Sequence, residues 1–109
     1  IVAFLVGSVA LAHTFASSHP PVQVTVVIPD GTAARVAAGE PVDIIPADLT
    51  FKLDDRLVVV NEDSVAHTIG PFSVAPGQRL EERLSKAASF NGFCSLHPGG
   101  NVDIRIAGT

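Results

Sequence analysis

The sequence is short of cysteine, methionine, histidine and basic residues, and these shortages exclude several classes of protein. Its single cysteine, at position 94, excludes a disulfide bond within the chain, so bridges do not reveal the compartment. Seven Lys and Arg residues stand against eleven Asp and Glu, giving a net charge of -4 and no basic patch for a nucleic-acid partner. With four histidines and no methionine, any metal-binding chemistry depends on where these few side chains lie.

The N-terminal segment is apolar and uncharged, and the first charged residue of the chain is Asp30. Two interpretations compete. Ala10-Leu11-Ala12 fits the small-residue rule for cleavage of a secretory signal. Alternatively, residues 1–16 are the outer part of a transmembrane anchor, which needs roughly twenty apolar residues and would begin upstream. We favour a retained anchor over 1–16. Both interpretations place the rest of the chain on the periplasmic or another extracytoplasmic side of a membrane.

A Pro-rich linker at residues 17–21 ends the apolar run, because its two prolines remove backbone donors. Beyond it the pattern predicts strands, with residues 33–38 ambiguous between a short helix and a loop. Short strands at close spacing predict one all-β domain over residues 22–109, an antiparallel β-sandwich with Greek-key connections. The predicted strands are Val22–Ile28, Thr50–Leu53, Arg56–Asn61, Phe72–Val74, Arg79–Leu84, Ser89–Cys94 and Val102–Ile106.

The only cysteine lies three residues before a histidine, in the run Phe93-Cys94-Ser95-Leu96-His97-Pro98. A thiolate and an imidazole at this spacing, at the end of a strand, can turn toward one ion. A third ligand is available at His67, in Asn61-Glu62-Asp63-Ser64-Val65-Ala66-His67. Two histidines and one cysteine are the donor set of a mononuclear type 1 copper site. The candidate metal ligands are therefore His67, Cys94 and His97.

These segments resemble the cupredoxins, the small blue copper proteins of the plastocyanin and pseudoazurin kind. The family pattern is an Asn-x-Asp-x-x-x-His segment, a Pro-Gly turn and Cys-Ser-x-His-Pro, and this chain has all three in that order between residues 54 and 106. The resemblance implies a copper cofactor, one-electron transfer and His97 as the route for the electron, with Leu96 at its rim. It also implies that Asn61 joins the two ligand loops and that Phe93 packs in the core or lines the site.

The chain departs from the family at the axial ligand. In the family a methionine usually follows the second histidine by about three residues, and here that position is Gly100. Three outcomes stay open: a trigonal copper, a fourth weak bond from water or a backbone carbonyl such as that of Ala66, or a site that no longer holds copper. Backbone oxygens do replace axial methionine in such sites. We rank trigonal or backbone-oxygen coordination first.

The resulting functional hypothesis is a membrane-tethered carrier of single electrons. Its partner would be a redox protein, an integral membrane oxidoreductase or a photosynthetic complex, with no small-molecule substrate. The alternative is an accessory or structural subunit of a membrane electron-transfer complex whose copper site is modified or lost. Copper delivery is disfavoured because Met-rich and His-rich tracts are missing. An enzyme is the weakest hypothesis, because only two histidines follow the linker and a second His-built site needs more.

Overall fold

A computed structural model describes residues 20–108, and the predicted anchor at 1–16 and most of the predicted linker lie outside them. Among the described residues no helix has the length and hydropathy that a membrane span requires. The elements in chain order are β1 (Gln23–Ile28), α1 (Thr32–Ala37), β2 (Asp48–Lys52), β3 (Arg56–Asn61), β4 (His67–Ile69), β5 (Phe72–Val74), β6 (Arg79–Arg83), β7 (Ala88–Phe93) and β8 (Asn101–Ala107).

Two three-stranded sheets make up most of the domain, one in the order β1-β3-β6 and the other in the order β2-β8-β7. Strand β8 shows why this sequence forms a half-buried strand: Val102, Ile104 and Ile106 are buried, and the residues between them are exposed. Alternation with period two puts one face of a strand on the core and the other in water. The buried faces of both sheets contribute to one hydrophobic cluster.

A short hairpin of β4 and β5 connects the two sheets at the end of the domain that carries the candidate ligands. Ile69 of β4 forms an antiparallel bridge with Cys94. In addition, the Gly70 amide donates a 2.7 Å hydrogen bond to the carbonyl of Phe93. The strand that begins at His67 is therefore bonded directly to the chain that carries Cys94.

The buried carboxylate of Asp55 joins the first two strands to the turn before β3. It accepts hydrogen bonds from the amides of Val22 (3.0 Å) and Lys52 (2.9 Å) and is only 4% exposed. Because an ionised carboxylate is an acceptor with several lone pairs, it can satisfy backbone donors that no strand reaches. Asp55 is thus a structural carboxylate, and it precedes β3 at the end of that strand opposite to Asn61 and the loop that carries His67.

The all-β sandwich predicted from the strand pattern is confirmed in the described residues, and the ambiguous segment is the short helix α1. The prediction that all strands pair antiparallel is wrong. Strand β1 runs parallel to β3, and β2 runs parallel to β8. Parallel neighbours need a long crossover connection, and the chain between β1 and β3 supplies one through α1 and β2. A strand's own residues do not specify which neighbour it pairs with.

Candidate metal centre

Cys94 lies immediately after β7 and is fully buried. The seven-residue loop from 94 to 100 closes on itself, because the Cys94 amide donates to the carbonyl of Gly100 (2.9 Å) and the Gly100 amide donates to the carbonyl of His97 (2.8 Å). Burial raises the pKa of the Cys94 thiol, and backbone N–H groups of Leu96 and His97 act in the opposite direction. The sulfur therefore lies in an apolar setting with two amide donors that favour its thiolate.

His67 is the first residue of β4 and is 1% exposed. Its Nε2 lies 2.8 Å from Oδ2 of Asp63, and its Nδ1 lies 2.8 Å from Oγ of Ser95. Ser95 directly follows the cysteine, and its amide donates to the carbonyl of Thr68 at 2.9 Å. The structure thus brings the His67 imidazole against the segment that contains Cys94, as the sequence predicted.

Asp63 is a buried carboxylate with four donors around it. The amides of Gly31 (3.0 Å) and Ser64 (2.8 Å) donate to Oδ1, and the amide of Ala33 donates to Oδ2 at 2.9 Å. The hydrogen bond from His67 holds the pKa of Asp63 well below its usual value, with the three amides adding to this effect and burial opposing it. Asp63 is therefore a carboxylate anion in contact with the ring of His67.

His97 is half-buried, and backbone carbonyls lie beside both of its ring nitrogens. Its Nδ1 lies 3.0 Å from the carbonyl oxygen of Asn101, and its Nε2 lies 2.8 Å from that of Ile45. A neutral imidazole has one N–H group and can donate to only one of them. To bind a metal ion, His97 must give up one of these two carbonyl contacts.

The three predicted ligands are therefore brought together only in part. His67 lies beside the Cys94 segment, whereas the ring of His97 is held by Asn101 and Ile45. Within residues 20–108 no group of three or more His, Cys, Asp or Glu side chains is arranged to hold a metal ion. The ligand set His67, Cys94 and His97 stays a prediction, and so does an axial bond from the carbonyl of Ala66.

Gly100 stands where the cupredoxin pattern usually has a methionine, and its backbone adopts a conformation that favours glycine. Its φ of +77° lies in the left-handed region, and a Cβ at this residue would lie 3.5 Å from the ring of Phe93. Left-handed φ costs a residue with a side chain about 1–2 kcal/mol. The tight loop around Cys94 thus favours glycine at this position, and a methionine there would meet the same cost.

We expect Gly100→Ala to lower the free energy of unfolding by about 1 kcal/mol because of this positive φ. The neighbouring Gly99 is a matched control, since a Cβ there would meet nothing within 4 Å and its backbone is not left-handed. Gly99→Ala should change stability by about 0.5 kcal/mol or less. Urea denaturation measures both variants. Equal effects at the two glycines would contradict the assignment.

The predicted role of Asn61 in joining the two ligand loops is wrong. Its Nδ2 has two hydrogens and lies within hydrogen-bonding distance of the carbonyls of Val65 (2.8 Å), Val74 (3.1 Å) and Ala75 (3.2 Å), and its Oδ1 accepts from the amide of Asp63 (3.0 Å). Asn61 therefore joins the loop before His67 to the end of β5. The link from His67 to the Cys94 segment is made by Ser95 instead.

Two predictions for side chains around the cysteine are also wrong. Leu96 is fully buried in the hydrophobic core rather than at an exposed rim, and Phe93 is 59% exposed. Phe93 pairs with Asn101 on the outer face of the sheet. Because side chains alternate along a strand, an inward-facing Cys94 requires an outward-facing Phe93, and the sequence contained that signal.

Two polar residues of the site were missed from the sequence. Asp63 and Ser95 are hydrogen-bonding partners of the two ring nitrogens of His67, Asp63 at Nε2 and Ser95 at Nδ1. Asp63 precedes His67 by four residues in an irregular loop, so no periodicity indicates that the two side chains meet. Ser95 stands next to the cysteine, where the family pattern already contains a serine.

Similarity to known proteins is found among solved structures. No protein-family model matches the chain, and no curated protein matches it. The purple cupredoxin from Nitrosopumilus maritimus is 17% identical, with a TM-score of 0.45 over 77% of this chain and 99% of that one. A Cu(I) structure of an amicyanin variant is 13% identical, with a TM-score of 0.46 over 78% of this chain and 82% of that one.

A copper-containing nitrite reductase from Thermus scotoductus SA-01 is also similar. It is 20% identical, with a TM-score of 0.40 over 76% of this chain and 28% of that one. This chain is thus similar to cupredoxin structures, as its sequence pattern predicted. The TM-scores of 0.40 to 0.46 are too low to transfer a function, so the residues of this chain must carry the functional argument.

Proposed function

We propose that this domain is a type 1 copper protein that carries single electrons, with His67, Cys94 and His97 as the metal ligands. The observation that carries the proposal is the setting of His67. One ring nitrogen is bound to a buried carboxylate, and the other faces the residue that follows the only cysteine. Histidines that bind metals commonly donate their second N–H to a carboxylate in this way.

The chemistry of the donor set fits copper. Two imidazoles and one thiolate are the ligands of blue copper electron-transfer sites. Nδ1 of His67 lies on the side of the Cys94 segment. Burial raises the pKa of the Cys94 thiol, and the backbone N–H groups of Leu96 and His97 oppose that rise. His97 fits after it gives up its contact with either Ile45 or Asn101. Copper would supply the one-electron redox change.

The protein's own contribution is a rigid and dry surrounding. Ile69 lies opposite Cys94 in an antiparallel bridge, and Leu96 follows Cys94 by two residues. Each of these apolar side chains is 2% exposed or less. Hydrogen bonds between backbone groups close the loop from Cys94 to Gly100 without help from a metal ion. Ligand positions fixed by the fold reduce the rearrangement that accompanies a change of oxidation state. Half-buried His97 is the proposed route for the electron.

We further propose that the axial position is left without a thioether, since the chain contains no methionine. The site would then be trigonal or would take a weak bond from the carbonyl of Ala66. The identity of this bond tunes the reduction potential. In this proposal the domain transforms no substrate, and its partner is another redox protein or a membrane oxidoreductase.

The proposed location is the periplasmic or another extracytoplasmic face of a membrane, to which the apolar residues 1–16 would hold the domain. A tether raises the effective concentration of the domain at a membrane partner without any new contact. Fractionation of cells that express the natural protein, with and without its whole N-terminal apolar segment, tests the tether. Recovery of both forms in the soluble fraction would contradict it.

Copper loading tests the function. We expect the purified protein to bind one copper(II) ion per chain, to show an intense visible absorption from the thiolate, and to give the narrow hyperfine coupling of a type 1 site in electron paramagnetic resonance. The bound ion should also be reduced and reoxidised reversibly. A loaded protein without visible colour, or with no bound copper, would contradict the proposal.

A second candidate is supported by the setting of His97. Backbone carbonyls contact both of its nitrogens, and the described residues contain no assembled group of three metal-binding side chains. These observations favour a domain whose copper site is lost, and the role that we propose for such a domain is an accessory or structural subunit of a membrane electron-transfer complex. Metal analysis of the protein isolated from its native membrane distinguishes the two, because a structural subunit would contain no stoichiometric copper.

A further inference from the structure

The carboxylate of Asp63 contacts Nε2 of His67, whereas Ser95 contacts the other ring nitrogen, Nδ1. We propose that Asp63 is a positioning residue that fixes both the orientation and the tautomer of His67, so that Nε2 carries the proton and Nδ1 presents its lone pair to the Cys94 segment. The assignment of the His67 tautomer depends only on the hydrogen-bond geometry. Its consequence for copper binding rests on the proposed function. The sequence pattern contains Asp63 but assigns it no partner, and the structure supplies that partner.

The direction of the hydrogen bond follows from the surroundings of Asp63. Three backbone amides already donate to its two oxygens, and all three distances are 3.0 Å or less. An ionised carboxylate only accepts hydrogen bonds, so Nε2 of His67, 2.8 Å from Oδ2, must be the donor. A neutral ring with its proton on Nε2 has a bare Nδ1.

Ser95 is arranged so that this lone pair can be released. Its Oγ lies 2.8 Å from Nδ1 of His67, accepts the amide of Thr68 at 3.0 Å, and lies 3.3 Å from the carbonyl oxygen of Thr68. The single hydroxyl proton therefore has two acceptors within reach. When it turns to the Thr68 carbonyl, Nδ1 becomes free for another partner, and the hydroxyl group remains hydrogen-bonded.

Asp63 also connects the ring to a distant part of the chain. Its donors Gly31 and Ala33 lie at the start of α1, about thirty residues before it. Between them, Thr32 is fully buried and its hydroxyl donates to the carbonyl of Pro29 at 2.7 Å. The β1–α1 connection thus holds the carboxylate in place, and the carboxylate holds the ring. Carboxylates that orient a ligand histidine typically improve metal affinity about 10- to 100-fold.

The direct test is 15N NMR of the histidine side chains in metal-free wild-type protein at a pH where His67 is neutral. We expect the Nε2–H tautomer at His67. In Asp63→Asn, the share of the Nδ1–H tautomer should rise, since an amide nitrogen can then donate to Nε2. Copper(II) affinity, measured by competition with a chelator of known affinity, should fall about 10- to 100-fold.

Asp55→Asn is the matched control. It also removes a buried carboxylate that accepts two backbone amides, but away from His67. We expect it to lower stability while the His67 tautomer stays as in the wild type and copper affinity stays within about twofold. A visible absorption maximum that shifts in Asp63→Asn and not in Asp55→Asn would add a readout that lost stability alone does not move.

The outcomes separate this inference from the proposed function. A proton on Nδ1 of wild-type His67 overturns the inference, even if Asp63→Asn does not fold. It is overturned equally if Asp63→Asn keeps the wild-type tautomer, or if it binds copper as tightly as Asp55→Asn. A wild-type protein with the Nε2–H tautomer that binds no copper contradicts the proposed function and leaves the positioning of the ring by Asp63 intact.

Discussion

Replacing Cys94 with serine is expected to remove the intense visible absorption of the copper-loaded protein. The absorption arises from the thiolate bound to copper, and Cys94 is the only residue of the chain that can supply a thiolate. A serine hydroxyl is a hard oxygen donor, whereas soft sulfur ligands favour copper. We expect copper affinity to fall by about 100-fold or more, at least as much as the loss of an outer hydrogen-bond partner costs.

Stability must be separated from metal binding in this experiment, because Cys94 is fully buried. A hydroxyl placed there costs free energy if it finds no hydrogen-bond partner. Cys94→Ala serves as the second variant, since it removes the sulfur without adding a polar group. Both metal-free variants are first examined by circular dichroism and urea denaturation. Folded variants that keep the intense visible band would show that the band does not come from the Cys94 thiolate.

Replacing Asn61 with alanine is expected to destabilise the domain by about 3 kcal/mol. The side chain is 1% exposed, its two amide hydrogens face three backbone carbonyls, and its Oδ1 accepts the amide of Asp63. Each such bond contributes about 1 kcal/mol, and buried groups left without a partner cost more. Because Asn61 holds the loop before His67, we also expect weaker copper binding. Urea denaturation of the metal-free protein measures the first effect.

The control for this variant is Asn91→Ala. Asn91 lies exposed on β7, and its side chain makes one hydrogen bond, to the exposed Asp103. Its replacement should change stability by about 0.5 kcal/mol or less. If Asn61→Ala proved no more destabilising than Asn91→Ala, the hydrogen bonds of the Asn61 side chain would not hold the loop as described.

Most strand positions could be predicted because they depend on local alternation. Arg56–Asn61 and Phe72–Val74 are observed with the predicted bounds. Strand β4 was missed as a strand, since three residues are too few to show a period, and it carries His67. Its pairing with β5, and its bridge to Cys94, involve residues that are distant in the sequence.

The candidate site likewise has one part that the sequence predicted and one part that it did not. The approach of His67 to the Cys94 segment was predicted from the ligand pattern, and the structure places them beside each other. The ring of His97 is held by the carbonyls of Ile45 and Asn101, which no pattern around His97 indicates. The contact between the His97 ring and the Ile45 carbonyl joins residues 52 positions apart. Such contacts follow from packing, which a reading of short segments does not contain.

Local patterns in the sequence specified the class of structure and the chemistry available to it. Alternating apolar residues specify half-buried strands, and a single thiol with two histidines limits the metal chemistry of residues 20–108 to one small donor set. The tertiary structure decided which strands pair in parallel and that Asp63, held by the start of α1, contacts His67. The physical reason is distance along the chain: propensity and alternation act between neighbouring residues, whereas pairing and hydrogen bonding across the domain depend on how all the buried surfaces pack together.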